Sequence, residues 1–242
     1  MSHISQQVSA SIEGLTREFD LIAHNLANVS TNGYKRQYND FSKSLKAFES
    51  PIESDGEIVQ SSTIYDFSQG PFAQTNRPLD LALSGKGFFM LETPDGPRYT
   101  RNGMFRLNEN GQLVDMSGRY VAGDSGPITI PPTVSISEVL ITDEGKIIAD
   151  GIPVDTLKLV DFGENESKLV SVGMNCFQAP NSIEPDDAEN LVVKQGFQEG
   201  SNVQMVEELV DMITVSRMYE ANMRFLSSGK DATNSLLNVA MG

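Results

Sequence analysis

Apolar positions along this chain keep two rhythms, a helical one at each end and a strand-like one between. Near the start, Ile12, Leu15, Phe19, Ile22, Leu26 and Val29 recur at alternating steps of three and four, and Val8 and Ile4 extend the line backwards. That spacing predicts one apolar stripe along a helix, ended by Gly33. At the other end Met205, Leu209, Met212, Ser216, Tyr219, Met223, Leu226, Lys230, Thr233 and Leu237 keep the same alternation, while Val203, Val206, Val210 and Ile213 add a second stripe beside the first. Two apolar faces on one helix ask for more than one partner. Ser201, followed three residues on by Gln204, predicts a capping box at its start. No proline interrupts residues 201–237, so the helix can reach ~55 Å at 1.5 Å per residue. The first helix carries Ser5, Ser9, Ser11, Gly14, Asn25 and Asn28, a set of poor helix formers that needs neighbours to hold its shape. The same periodicity also fits two helices that simply pair inside one domain.

Between the ends, turn signals come at short, regular intervals from Leu79 onward: Asp95-Gly96, Asn102-Gly103, Asn110-Gly111, Ser117-Gly118 and Glu144-Gly145. Each supplies a residue tolerant of positive φ, as tight hairpins require. They separate β-prone runs at residues 88–91, 104–107, 139–141, 146–148 and 156–160, so the middle reads as a hairpin-rich β domain with its own core over about residues 71–195. Residues 34–69 are polar with scattered aromatics and no period, and read as an extended connector. Residues 179–187, with two prolines and four acids, read as a surface loop.

Composition narrows the chemistry. A chain of 242 residues with 39% hydrophobic residues can bury a real core. Its net charge of −15 repels nucleic acid and anionic lipid, and the lone basic pair Lys35-Arg36 is too small a patch to reverse that. No stretch approaches the ~20 apolar residues that cross a bilayer, so membrane insertion is not expected. The start lacks the basic-then-apolar layout of a cleaved signal peptide, which leaves the cytosol or export by another route. The single cysteine, Cys176, sits among Val172, Met174 and Phe177 and reads as a packed, inert thiol. His3 and His24 both fall in the first helix, away from any acid–hydroxyl set. Asp95, Asp115, Asp143 and Glu144 lie at hairpin turns without calcium-loop spacing and read as solvated turn residues. No catalytic, metal or cofactor site is expected, and the chain does not read as an enzyme.

The run over residues 19–36 places Asn25, Ala27, Asn28, Thr31, Gly33 and Lys35 where the N-terminal signature of the bacterial flagellar rod and hook proteins has them, and closely resembles it. Gln69-Gly70, Leu79-Asp80-Leu81-Ala82-Leu83, Gly85-Lys86-Gly87-Phe88-Phe89 and Tyr99-Thr100-Arg101-Asn102-Gly103 look like that family's central motif. Glu199-Gly200-Ser201-Asn202-Val203, Glu207-Glu208-Leu209-Val210 and Arg217-Met218-Tyr219-Glu220 are similar to its C-terminal signature, so the resemblance covers nearly the whole chain. Departures are Asn32, where proline is common, and His24, where asparagine or a similar polar residue is usual.

The resemblance implies an α+β fold with long N- and C-terminal helices packed as a coiled-coil-like pair around the axis and a central, mainly β domain outside. The terminal assembly domain is expected at residues 1–33 and 201–242, the connector at 34–69 and the β domain at 70–200. Assembly is expected through Leu15, Phe19, Ile22, Leu26, Val29, Val203, Val206, Leu209, Val210, Ile213, Tyr219 and Leu226. Implied partners are other rod subunits, further copies of the chain and the flagellar type III export apparatus; the implied place is the rod crossing the periplasm, and no cofactor is implied. Chain length, with Gly123-Asp124-Ser125-Gly126-Pro127-Ile128 and Leu157-Lys158-Leu159-Val160, looks more like a proximal-rod than a distal-rod or short hook-type subunit. Outside the family, a secreted β-domain adhesin would need neither terminal signature, and a carboxylate hydrolase would depend on one acid.

Overall fold

The helical rhythm at the ends becomes α1 (Ser2–Ala27) and α2 (Met205–Met241), and the hairpin rhythm between them becomes short antiparallel strands. The computed structural model describes residues 2–39, 63–188 and 191–241, and the side chains of 8–39, 63–188 and 191–229. The chain is α+β and divides into two units, one of residues 1–27, 37–65 and 203–242, the other of residues 28–36 and 66–202.

In the first unit α1 lies against α2, and Gln37–Asn39 pairs antiparallel with Thr63–Tyr65. Residues 40–62, most of the expected connector, lie outside the described residues. α1 stops at Ala27, short of Gly33, and turns occupy the residues between. α2 begins at Met205, so Ser201 and Gln204 do not cap it as a box. The reason lies in the second unit, where Asn202 accepts the Arg36 N–H at 2.8 Å and donates to the Asp66 carbonyl at 2.8 Å, holding this stretch extended. Glu207 and Glu208 instead place negative charge at the positive end of the helix dipole.

The second unit is built on the strand Phe88–Glu92, which pairs with Arg98–Thr100, Tyr120–Gly123 and Leu159–Asp161. Cys176–Gln178 and Val170–Ser171 extend the sheet on one side, Leu113–Asp115 and Phe105–Leu107 on the other. Val139–Ile141, Lys146–Ala149 and Ile152–Thr156 form a separate three-stranded sheet. Leu81–Ser84 pairs with Val192–Gln195, and Phe72–Gln74 with Phe197–Glu199. Alternate residues of these strands converge on one core that includes Leu81, Leu83, Phe89, Phe105, Ile128, Ile147 and Val193.

Three expectations change here. The run 156–160 is split between Ile152–Thr156 and Leu159–Asp161, because the Leu157 N–H donates to Gly145 and the Lys158 N–H to Ala122 as the chain passes between sheets. Gly96, Gly111, Gly118 and Gly145 take positive φ as turn residues, but Gly103 does not. Gly103 is glycine for space, since a Cβ there would lie 1.9 Å from the Leu81 carbonyl oxygen. Asp115 is not a solvated turn residue: only 7% exposed, it accepts the Ser117 and Arg119 N–H groups and pairs with the Arg119 guanidinium at 2.6 Å, because it organises the turn from inside. Cys176 is buried in the core, and burial pushes its thiol up from the ordinary value, the condition of an inert cysteine.

Candidate assembly interface

Assembly requires apolar surface that the folded subunit does not use itself. On α1 that surface is small: Ile22 is buried, Leu15 and Leu26 are half-buried, and Phe19 is exposed. Val29, in the turn region after α1, is half-buried. On α2 it is large. Val203, just before the helix, is buried and Leu226 half-buried, but Val206, Leu209, Val210, Ile213 and Tyr219 are all exposed, Val206 to 73%. Leu15, Thr16 and Phe19 from α1 and Val215, Ser216 and Tyr219 from α2 line an apolar groove of about 310 Å³ between the two helices.

The line of α2 that α1 covers differs from both expected stripes. Glu208 and Val215 are buried, with Met212, Asn222 and Leu226 half-buried, whereas Met205, Leu209, Ser216, Tyr219 and Met223 are exposed. Apolar residues occur on nearly every side of α2, so hydrophobicity alone does not single out the covered line, and two of its members, Glu208 and Asn222, are polar. Asn25 of α1 explains the first of them. Its amide donates to Glu208 Oε2 at 3.3 Å and to the Gln37 carbonyl at 2.8 Å, and its oxygen accepts the Gln37 N–H at 2.8 Å.

Within the second unit, three stretches distant in sequence meet at a buried charge cluster. Lys35 Nζ lies 2.7 Å from Glu199 Oε1, Arg101 Nε lies 3.1 Å from Glu199 Oε2, and all three side chains are at most 3% exposed. The remaining hydrogen-bonding capacity is met locally. Lys35 also donates to the Ser68 carbonyl, Arg101 to the carbonyls of Gly85 and Gly87, and the Gly70 N–H to Glu199. Burial pushes the Lys35 ammonium below its ordinary value, Glu199 pulling it back up and Arg101 adding to the fall. Two cations thus share one carboxylate, and Lys35 is the cation that burial makes easier to neutralise.

The backbone closes tightly around this cluster. The Gly33 N–H donates to the Glu199 carbonyl at 2.8 Å, and a Cβ on Gly33 would lie 2.6 Å from the Asn102 backbone. A Cβ on Gly70 would lie 2.1 Å from the Gly200 oxygen. Asn32 donates to Gln198 and accepts from Asn175 through its carbonyl, so the loop after α1 is fastened at several points. The cluster holds segments together and presents no nucleophile beside a base. In the sequence Lys35 stands out as half of a small basic pair and as a signature position, Asn25 as a poor helix former and a signature position, and Arg101 and Glu199 only within signature segments; the signal for a joint role is that each lies in such a segment close to a glycine or asparagine.

Among the described residues no group of three or more His, Cys, Asp or Glu side chains could hold a metal ion, and no helix is long and apolar enough to cross a membrane. Residues 82–149 match the flagellar hook protein FlgE/F/G D1 domain, and residues 194–239 match the flagellar basal body rod FlgEFG protein C-terminal region. The chain is 31% identical over 228 residues to the flagellar basal-body rod protein FlgF of Caulobacter vibrioides, covering 91% of each chain. It is 33% identical over 244 residues to the flagellar basal-body rod protein FlgG of Buchnera aphidicola subsp. Schizaphis graminum, covering 90% of this chain and 92% of the relative. Against the FlgF of Salmonella typhimurium the identity is 32% over 241 residues, covering 90% and 91%. The three signature segments, the two family matches and these near full-length relatives agree: the chain belongs to the flagellar basal-body rod protein family, whose members are structural components of the flagellum.

Proposed function

We propose that this rod subunit sits in the proximal rod, where α1 and α2 pack as a coiled-coil-like pair into the inner tube of the drive shaft and the β domain forms an outer layer. The observation that carries the reading is the apolar surface left open on α2, where Val206, Val210, Ile213, Met218 and Phe225 are each more than half exposed. Covering such surface is favourable by roughly 25 cal/mol per Å² of apolar area, so a stack of subunits is stabilised by what a single subunit leaves in water. The interface draws on Leu15, Phe19, Ile22, Leu26 and Val29 with Val203, Val206, Leu209, Val210, Ile213, Tyr219 and Leu226, where Ile22 and Val203, buried within the subunit, support the face that the exposed residues present. The terminal assembly domain spans residues 1–33 and 201–242, the connector 34–69 and the β domain 70–200. Neighbours are other rod subunits and further copies of this chain, delivered by the flagellar type III export apparatus. The shaft transmits torque through packing.

Proximal placement is supported by Gly123-Asp124-Ser125-Gly126-Pro127-Ile128 and Leu157-Lys158-Leu159-Val160, which look more like FlgF than FlgG. A distal-rod subunit is the second reading, favoured by FlgG relatives as similar as the FlgF ones. A strain lacking the gene separates them. Proximal placement predicts basal bodies that retain the membrane-embedded export ring but lack distal rod, hook and filament, with density for residues 123–128 near the rod base in the parent. Density along the distal shaft, or normal hooks in the deletion strain, overturns it.

A further inference from the structure

Asn25 and Asn222 each make a polar contact between α1 and α2, and both contacts belong to the same alignment. Asn25 donates to Glu208 at one end, and Asn222 donates to Ser11 Oγ at 3.2 Å at the other, so the helices run antiparallel and the contacts are separated by the same two-heptad span on each. The Asn25–Glu208 pair is buried, at 1% and 0% exposure, and Asn25 cannot turn away because its amide is held on both sides by the Gln37 backbone. The apolar residues around these pairs, Ile12, Leu15, Ile22, Met212, Val215 and Leu226, repeat at heptad-like steps, so their pattern alone does not mark one register.

From these observations we infer that Asn25 and Glu208, with Ser11 and Asn222, form a register lock that selects one alignment of α1 on α2. This deepens the helix-pair reading above and rests on it. A slide of one heptad in one direction sets the Glu208 carboxylate against Glu18. A slide in the other sets the Asn25 amide against Val215. The first buries like charges and the second buries an unpaired amide, so each wrong register is penalised by the pair that stabilises the right one. An apolar pair at the same place would hold the helices together without distinguishing among registers.

Disulfide trapping in the full chain, in a Cys176→Ser background, tests this. Leu15→Cys is combined in turn with Met212→Cys, Tyr219→Cys or Leu226→Cys, three positions one heptad apart. Leu15 and Tyr219 line the same groove, so trapping in the parent should favour Tyr219→Cys over the other two by about tenfold or more, the discrimination that ~1.4 kcal/mol provides. In Asn25→Leu/Glu208→Leu the three yields should come within about twofold while helicity by circular dichroism is kept, since two apolar residues replace the pair. Asn25→Ala, which adds no bulk, should move the preference the same way should the double variant fail to fold, and Glu208→Gln, which keeps an acceptor, should retain it. An unchanged preference for Tyr219→Cys in Asn25→Ala or in a folded double variant overturns the lock while leaving the helix pair standing. Absence of trapping at all three positions in the parent overturns both.

Discussion

Glu199 is the carboxylate on which Lys35 and Arg101 both rest, so neutralising it leaves two buried cations facing each other. Glu199→Gln should cost about 3–5 kcal/mol, measured by denaturant unfolding followed by circular dichroism, because a buried charge without its counterion is the expensive case. Lys35→Met should cost clearly less, since Arg101 and Glu199 remain matched; a larger loss for Lys35→Met than for Glu199→Gln would refute this account of the cluster. The pH dependence follows from the direction of the Lys35 shift. Its folded value is lowered by burial, so between that value and the ordinary ~10.4 the unfolded chain binds the extra proton and stability rises with pH. Lys35→Met should flatten that rise relative to the parent. Glycines make a second contrast. Gly118→Ala, at φ +86° in open space, should lose about 1–2 kcal/mol, whereas Gly103→Ala, whose Cβ meets the Leu81 oxygen at 1.9 Å, should fail to fold or lose much more. Asn102-Gly103 looks like the other turn pairs in sequence, and nothing local says that a strand backbone lies against it. Lys35 was opaque for a similar reason, its partner being 164 residues away.

On the scale of single elements, α2 presents one helix to two environments. Ile213 is 54% exposed, so Ile213→Asp should leave the thermal midpoint of the isolated subunit nearly unchanged yet abolish motility by setting a charge into a seam between subunits. Ile22 is 2% exposed, and Ile22→Asp should lower that midpoint strongly as well. If Ile213→Asp swarms normally, the open face of α2 is not a rod contact. Both helices were legible because three-four spacing survives any tertiary context, and the strands at 88–91 and 139–141 were legible because each is a short apolar run closed by a turn pair, Asp95-Gly96 or Glu144-Gly145. The covered line of α2 was not, since Glu208 and Asn222 interrupt it while Val206, Val210 and Ile213 imitate a core on an open face. Where α2 begins was not legible either: Ser201 and Gln204 carry a capping signal that the hydrogen bonds of Asn202 override.

Taken whole, the second unit does not coincide with the hairpin-rich middle. It takes in residues 28–36, and through them Lys35, so a fragment of residues 71–195 keeps Arg101 and lacks Lys35, Gly70 and Glu199. A fragment of residues 28–202 should therefore unfold at higher denaturant than one of 71–195, and equal midpoints would mean that the charge cluster adds nothing to this unit. Chain order gives the same cluster a place in time. During synthesis Lys35 and Arg101 emerge long before the carboxylate that joins them, and closing a loop of that length waits on its far end. Until Glu199 arrives the two cations are better solvated than buried, and Gly70 has no Gly200 backbone to close on. The late carboxylate thus sets an order of closure: the hairpins of residues 71–195 can pair before it arrives, whereas Lys35 can be clamped only after it does.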